Sequence, residues 1–135
     1  MPGWGTGSFE NDDAQSLLGR LHSLSVESLK QELARAAGQD YLAAAESGTV
    51  VAAAEVVAAL ASAAKGETSS PATPRQIIDW IRANTSETPP DLVELAHRAV
   101  EKVRTKSELK DLWLEAEGLN EWSAALRQLE EKLSG

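Results

Sequence analysis

Apolar positions recur at helical spacing along nearly the whole chain. Ala14, Leu17, Leu18 and Leu21 share one face of a first helix, which should fade near His22. Asn11 stands where an N-cap belongs, and Asp12 and Asp13 fall in the first turn, where carboxylates suit the positive end of the helix dipole. Ser25 reads as the cap of a second helix, with Val26, Leu29, Leu33 and Ala36 or Ala37 along one side and Gly38 as its C′ residue. A third segment starts near Asp40, pauses at Ser47-Gly48 and resumes over residues 50–64. That last stretch is apolar nearly all round, broken only by Glu55 and Ser62, which predicts a central helix packed on several sides. It is too short and too alanine-rich for a membrane span, and Glu55 lies in its middle.

The second half is punctuated by prolines and caps. Residues 65–74 form a Ser, Thr, Gly and Pro-rich linker. Thr73-Pro74-Arg75-Gln76 reads as a capping box with Pro at the first helical position, followed by Ile77, Ile78, Trp80 and Ile81 on a short helix ending near Asn84. After a loop at 86–90, Thr88, Pro89 and Asp91 repeat the cap-and-proline pattern. The helix that follows buries Leu92, Ala96, Ala99 and Val103, with Val93 and Val100 beside them. Thr105 to Glu108 reads as another capping box, before Leu109, Leu112, Trp113 and Ala116, with Gly118 as a stop. Asn120 is placed to cap a last helix striped by Trp122, Ala125, Leu126, Leu129 and Leu133. No segment alternates with period two. The pattern predicts one all-α domain over residues 1–135: a compact bundle of about seven helices, a central Ala/Val-rich helix and a non-helical N-terminal arm over 1–10.

Composition sharpens this picture. Alanine and leucine dominate a chain that is 42% hydrophobic, a mix that favours helix over strand. Trp outnumbers Tyr plus Phe, so Trp4, Trp80, Trp113 and Trp122 are the candidate core anchors. The net charge of −8 argues against nucleic acid and anionic lipid as partners. With no cysteine, disulfides and thiolate chemistry are excluded. His22 and His97 are the two histidines, too few for a three-His metal site. The opening Met1-Pro2-Gly3-Trp4 lacks the basic and apolar regions of a signal peptide, so a cytoplasmic location is expected.

The opening is the unusual feature. In Trp4-Gly5-Thr6-Gly7-Ser8-Phe9 the glycines permit positive φ or a close backbone approach, while Trp4 and Phe9 can tuck into the core on either side. Together with Glu10-Asn11-Asp12-Asp13-Ala14 this start resembles the bacterial domain-of-unknown-function 4259 family, whose members open with a Trp-Gly-x-Gly-Pro-Phe-x-Asn-Asp-x-Ala pattern. The resemblance continues in residues 52–60, in 92–103, in Ser107-Glu108-Leu109 with Leu112-Trp113, and at Trp122. Ser8 replaces the usual Pro, which leaves the turn before Phe9 less rigid. The resemblance implies a small, mostly helical bacterial protein and assigns no activity or catalytic residue.

Chemistry candidates are few. Glu10, Asp12 and Asp13 could hold a hard cation, but helix-start carboxylates are common and no EF-hand pattern supports the reading. Glu94, His97 and Glu101 fall on one helix face, read as a solvated face with Glu94–Arg98 pairing. Glu55 either lies on the less buried side of its helix or is buried and bonded to the Gly5–Gly7 backbone. Trp4, Gly5, Gly7, Phe9, Asp12, Asp13 and Glu55 therefore form the candidate partner or structural polar site; no catalytic, metal or cofactor residue is assigned. The function expected is a non-enzymatic protein-interaction module, immunity-like in its acidic character, with a basic protein as partner. The alternative is a small hydrolase or metal-dependent enzyme using Glu55, Asp12, Asp13 and a His.

Overall fold

The computed structural model describes residues 12–64, 66, 74–84 and 91–134. Among these are seven α-helices and no strand: α1 (Asp12–Arg20), α2 (Val26–Ala37), α3 (Ala44–Ala64), α4 (Arg75–Asn84), α5 (Leu92–Thr105), α6 (Glu108–Glu115) and α7 (Leu119–Ser134). A 3₁₀ turn, Leu21–Ser23, extends α1. The all-α bundle expected from the apolar spacing is thus present. The linker at 65–74 and the loop at 86–90 lie almost wholly outside the described residues, as do Asn11, Thr73, Thr88 and Pro89.

Helix α3 is the hub and packs against all six other helices. Its Val50, Ala52, Ala53, Ala54, Val56, Val57 and Leu60 are essentially inaccessible. Small side chains let neighbouring helices approach it closely, so its bulk comes from the leucines and tryptophans of its partners. Helix α5 is the second axis, sandwiched between α2, α3 and α7. Trp80, Trp113 and Trp122 are all buried, each on the apolar stripe of its own helix.

The pause expected at Ser47-Gly48 does not occur. Both residues are buried inside a continuous 21-residue helix, and the Ser47 hydroxyl donates to the Ala43 carbonyl at 2.8 Å. Their small size serves packing, and an internal hydrogen bond satisfies the hydroxyl. At this length α3 is long and apolar enough to cross a membrane, so brevity is no argument against a span; yet 61% of its most apolar window is buried inside the bundle, as befits a core helix.

Caps also depart from expectation. Ser25 caps α2 as read, accepting from Ser28 N at 3.1 Å. Gly38 ends α2 with φ −87°, so its freedom to go left-handed is unused. Thr105 forms no capping box; it closes α5 and donates to Glu101 O. Ser107 caps α6 instead, accepting from Lys110 N at 3.1 Å. Glu108, released from the box, accepts from Ala44 N at 2.8 Å and so caps the start of α3 across the fold. Two backbone bonds, Leu42 N to Lys106 O and Glu108 N to Leu42 O, clip the α2–α3 connection to the α5–α6 connection. Asn120 lies inside α7 and does not cap it, because the helix starts at Leu119 and the Gly118 carbonyl accepts from Trp122 N.

Candidate functional site

A cleft of about 660 Å³ opens where the 3₁₀ turn meets α4. Its construction follows from the local chain. Leu18 and Gly19, near the end of α1, line one wall, and a Cβ at Gly19 would meet nothing within 4 Å, which leaves that wall open. Leu24 is extended between the 3₁₀ turn and the Ser25 cap, and its carbonyl is met from α4. Trp80 of α4 donates its indole N–H to that carbonyl at 2.8 Å, and Asn84 Nδ2 donates to Trp80 O at 2.8 Å. The first bond pins the indole against the turn, and the second satisfies the backbone carbonyl of Trp80 at the end of α4. Leu18, Leu24, Trp80 and Ala83 supply apolar surface, while His22, Ser23, Gln76 and Asp79 supply polar groups. No Lys or Arg is among the described lining residues. Asp79 reaches Arg75 Nε at 3.4 Å, an exposed pair of little energetic weight that a competing cation could displace.

A second polar constellation spans α5 and α7. Arg104 Nε lies 2.6 Å from Glu130 Oε2 and Arg104 Nη2 lies 3.3 Å from Oε1, a two-pronged grip. Glu130 is 8% exposed, and the bond to it raises the Arg104 pKa above the ordinary guanidinium value, with Glu101 adding to the effect. His97 and Glu101 project toward the same place. The three potential ligand atoms of His97, Glu101 and Glu130 all lie within 4.8 Å of one another. Glu94 pairs with Arg98 at 2.7 Å as expected, and Glu94, Arg98 and Glu101 are exposed; His97 is half-buried, and with Glu101 it approaches a carboxylate from another helix.

The residues singled out from the sequence are dispersed. Trp4, Gly5, Gly7 and Phe9 lie outside the described residues, as does any bond from their backbone to Glu55. Asp12 and Asp13 open α1 as expected. Glu55 sits on the half-buried side of α3, 21% exposed in its side chain, with Lys132 Nζ of α7 at 3.8 Å. Of the two histidines, His22 lines the cleft and His97 joins the α5–α7 constellation. Sequence reasoning missed the cleft and missed Arg104 and Glu130. Gly19 inside a helical pattern, directly before His22, was the one available hint of an open wall.

A family model described as a domain of unknown function (DUF4259) matches residues 3–125. No curated protein and no solved structure is found to match the chain.

Proposed function

Because the chain belongs to the domain-of-unknown-function 4259 family, we propose its role from its own residues: a non-enzymatic, cytoplasmic protein-interaction module that receives a basic protein partner in the Trp80 cleft. The observation that carries this reading is the cleft itself, which joins an apolar floor at Leu24, Trp80 and Ala83 to an acidic rim group at Asp79. Such a site suits a segment that places an aliphatic side chain against Leu24 and Ala83, beside the edge of Trp80, and a Lys or Arg beside Asp79. The net charge of −8 adds long-range attraction for a basic surface, which raises association rates and selects against acidic partners. An immunity-like role, in which an acidic protein neutralises a basic one, uses the same physics.

The test is affinity capture from the source cells with the intact chain and with Ala83→Arg. Ala83 is exposed on α4, so a long cationic side chain there fills the cleft without entering the core. The expected result is a basic protein retained by the unmodified chain and lost by the variant. A partner retained equally by both forms would remove the cleft from the account.

A further inference from the structure

We infer that His97, Glu101 and Glu130 form a zinc-class divalent cation site that clamps α5 to α7. The site is separate from the cleft, and the inference stands whatever the cleft binds. His97 and Glu101 are four residues apart, so they stand one turn above the other on the same face of α5. Glu130 comes from α7, which packs along α5, and it brings a carboxylate to the same place. The result is an imidazole and two carboxylates from two helices, with their ligand atoms within 4.8 Å of one another. A four-coordinate zinc with ligands at about 2.0–2.2 Å needs donor atoms roughly 3.3–3.6 Å apart. Closing from 4.8 Å asks each side chain for a shift of about 1 Å, which torsions about side-chain bonds supply without moving a helix.

The donor chemistry narrows the ion. Magnesium and calcium favour all-oxygen shells and six or more ligands, whereas zinc takes His nitrogen with Glu oxygen in a four-coordinate shell and leaves the fourth position to water. Arg104 supports such a site. A ligating carboxylate is normally oriented by a hydrogen-bond donor, and Arg104 orients Glu130 with one N–H on each oxygen, at 2.6 and 3.3 Å. One guanidinium faces the carboxylates of Glu101 and Glu130 here.

The experiment is isothermal titration calorimetry of the intact, tag-free chain with Zn²⁺ alone, with thermal melts on the same samples. One ion per chain and a raised Tm are expected. His97→Ala should abolish both responses, because a half-buried surface imidazole can be removed without disturbing the core. His22→Ala should leave both unchanged. Co²⁺ in place of Zn²⁺ should give the visible absorption of a four-coordinate site, lost in His97→Ala. Glu130→Gln should also lose binding, with circular dichroism confirming that the helices persist. Absence of Zn²⁺ binding, binding that survives His97→Ala, or binding that follows His22 would each overturn the assignment.

Discussion

Gly118 lies against the face of Trp113 so closely that a Cβ at position 118 would stand 2.6 Å from Cε3 and 2.8 Å from Cζ3 of the indole. Trp113 is 1% exposed, so its ring has nowhere to move. The glycine that looked like a helix stop is therefore a packing glycine. Gly118→Ala should destabilise the fold by about 1–3 kcal/mol through overpacking. Chemical denaturation reads this as a lower midpoint at unchanged slope; a neutral result would show that the ring can yield.

The conformational task expected of Gly118 falls to its neighbour. Glu117 has φ +60°. Its N–H bonds to Leu114 O at 3.2 Å and the Gly118 N–H bonds to Trp113 O at 3.0 Å, which is the Schellman arrangement with Glu117 at the left-handed position. A residue with a Cβ is strained there, and glycine is not. Glu117→Gly should stabilise by roughly 0.5–1 kcal/mol, the relief of strain exceeding the added entropy of the unfolded chain. A thermal melt decides it, with an unchanged or lower Tm counting against the assigned strain.

These two residues show where sequence patterns stop. Periodicity located every helix, because burial on one face imposes the spacing whatever the neighbours are. It put Trp80, Trp113 and Trp122 in the core and α3 at the centre. It could not assign roles that depend on a second element. Gly118 and Glu117 exchange roles only because Trp113 folds back over position 118. Ser47-Gly48 resembles a break until α3 is seen surrounded by six helices. Glu130 flanks the stripe of Trp122, Leu126, Leu129 and Leu133, so its burial follows from Arg104 standing opposite on α5. The cleft is likewise a meeting of residues 18–25 with 76–84, and neither stretch carries a motif for it.

Tyr41 provides a prediction in alkali. It is the single tyrosine of the chain, and its hydroxyl donates to Asp111 Oδ2 at 2.6 Å. That bond, with the negative charges of Asp111 and Glu108 nearby, pushes its pKa up to about 12. The folded state therefore holds the phenol proton more tightly than the unfolded chain does. The contribution to stability is complete below the unfolded value of about 10 and is lost as pH rises through about 12. Ultraviolet titration of the tyrosinate band should show a midpoint well above that of free tyrosine. Asp111→Asn should return it toward the ordinary value, and an unshifted midpoint in the unmodified chain would show that the bond does not persist in water.

Two tryptophans permit a comparison that isolates one hydrogen bond. Trp80 donates its indole N–H to Leu24 O at 2.8 Å, whereas the buried Trp113 Nε1 has no partner. Trp→Phe removes the same volume at both sites, so the cavity cost is similar and largely cancels in the difference. At position 80 the change also strands the Leu24 carbonyl. At position 113 it removes a donor whose burial costs about 1–3 kcal/mol without compensation. Trp113→Phe should therefore be milder than Trp80→Phe by about 1–2 kcal/mol, even though Trp113 is the more deeply buried ring. Denaturant titrations of the two variants measure the difference directly. If Trp113→Phe proved the costlier change, the indole of Trp113 would be contributing through its packing against Gly118 more than its unpaired N–H takes away.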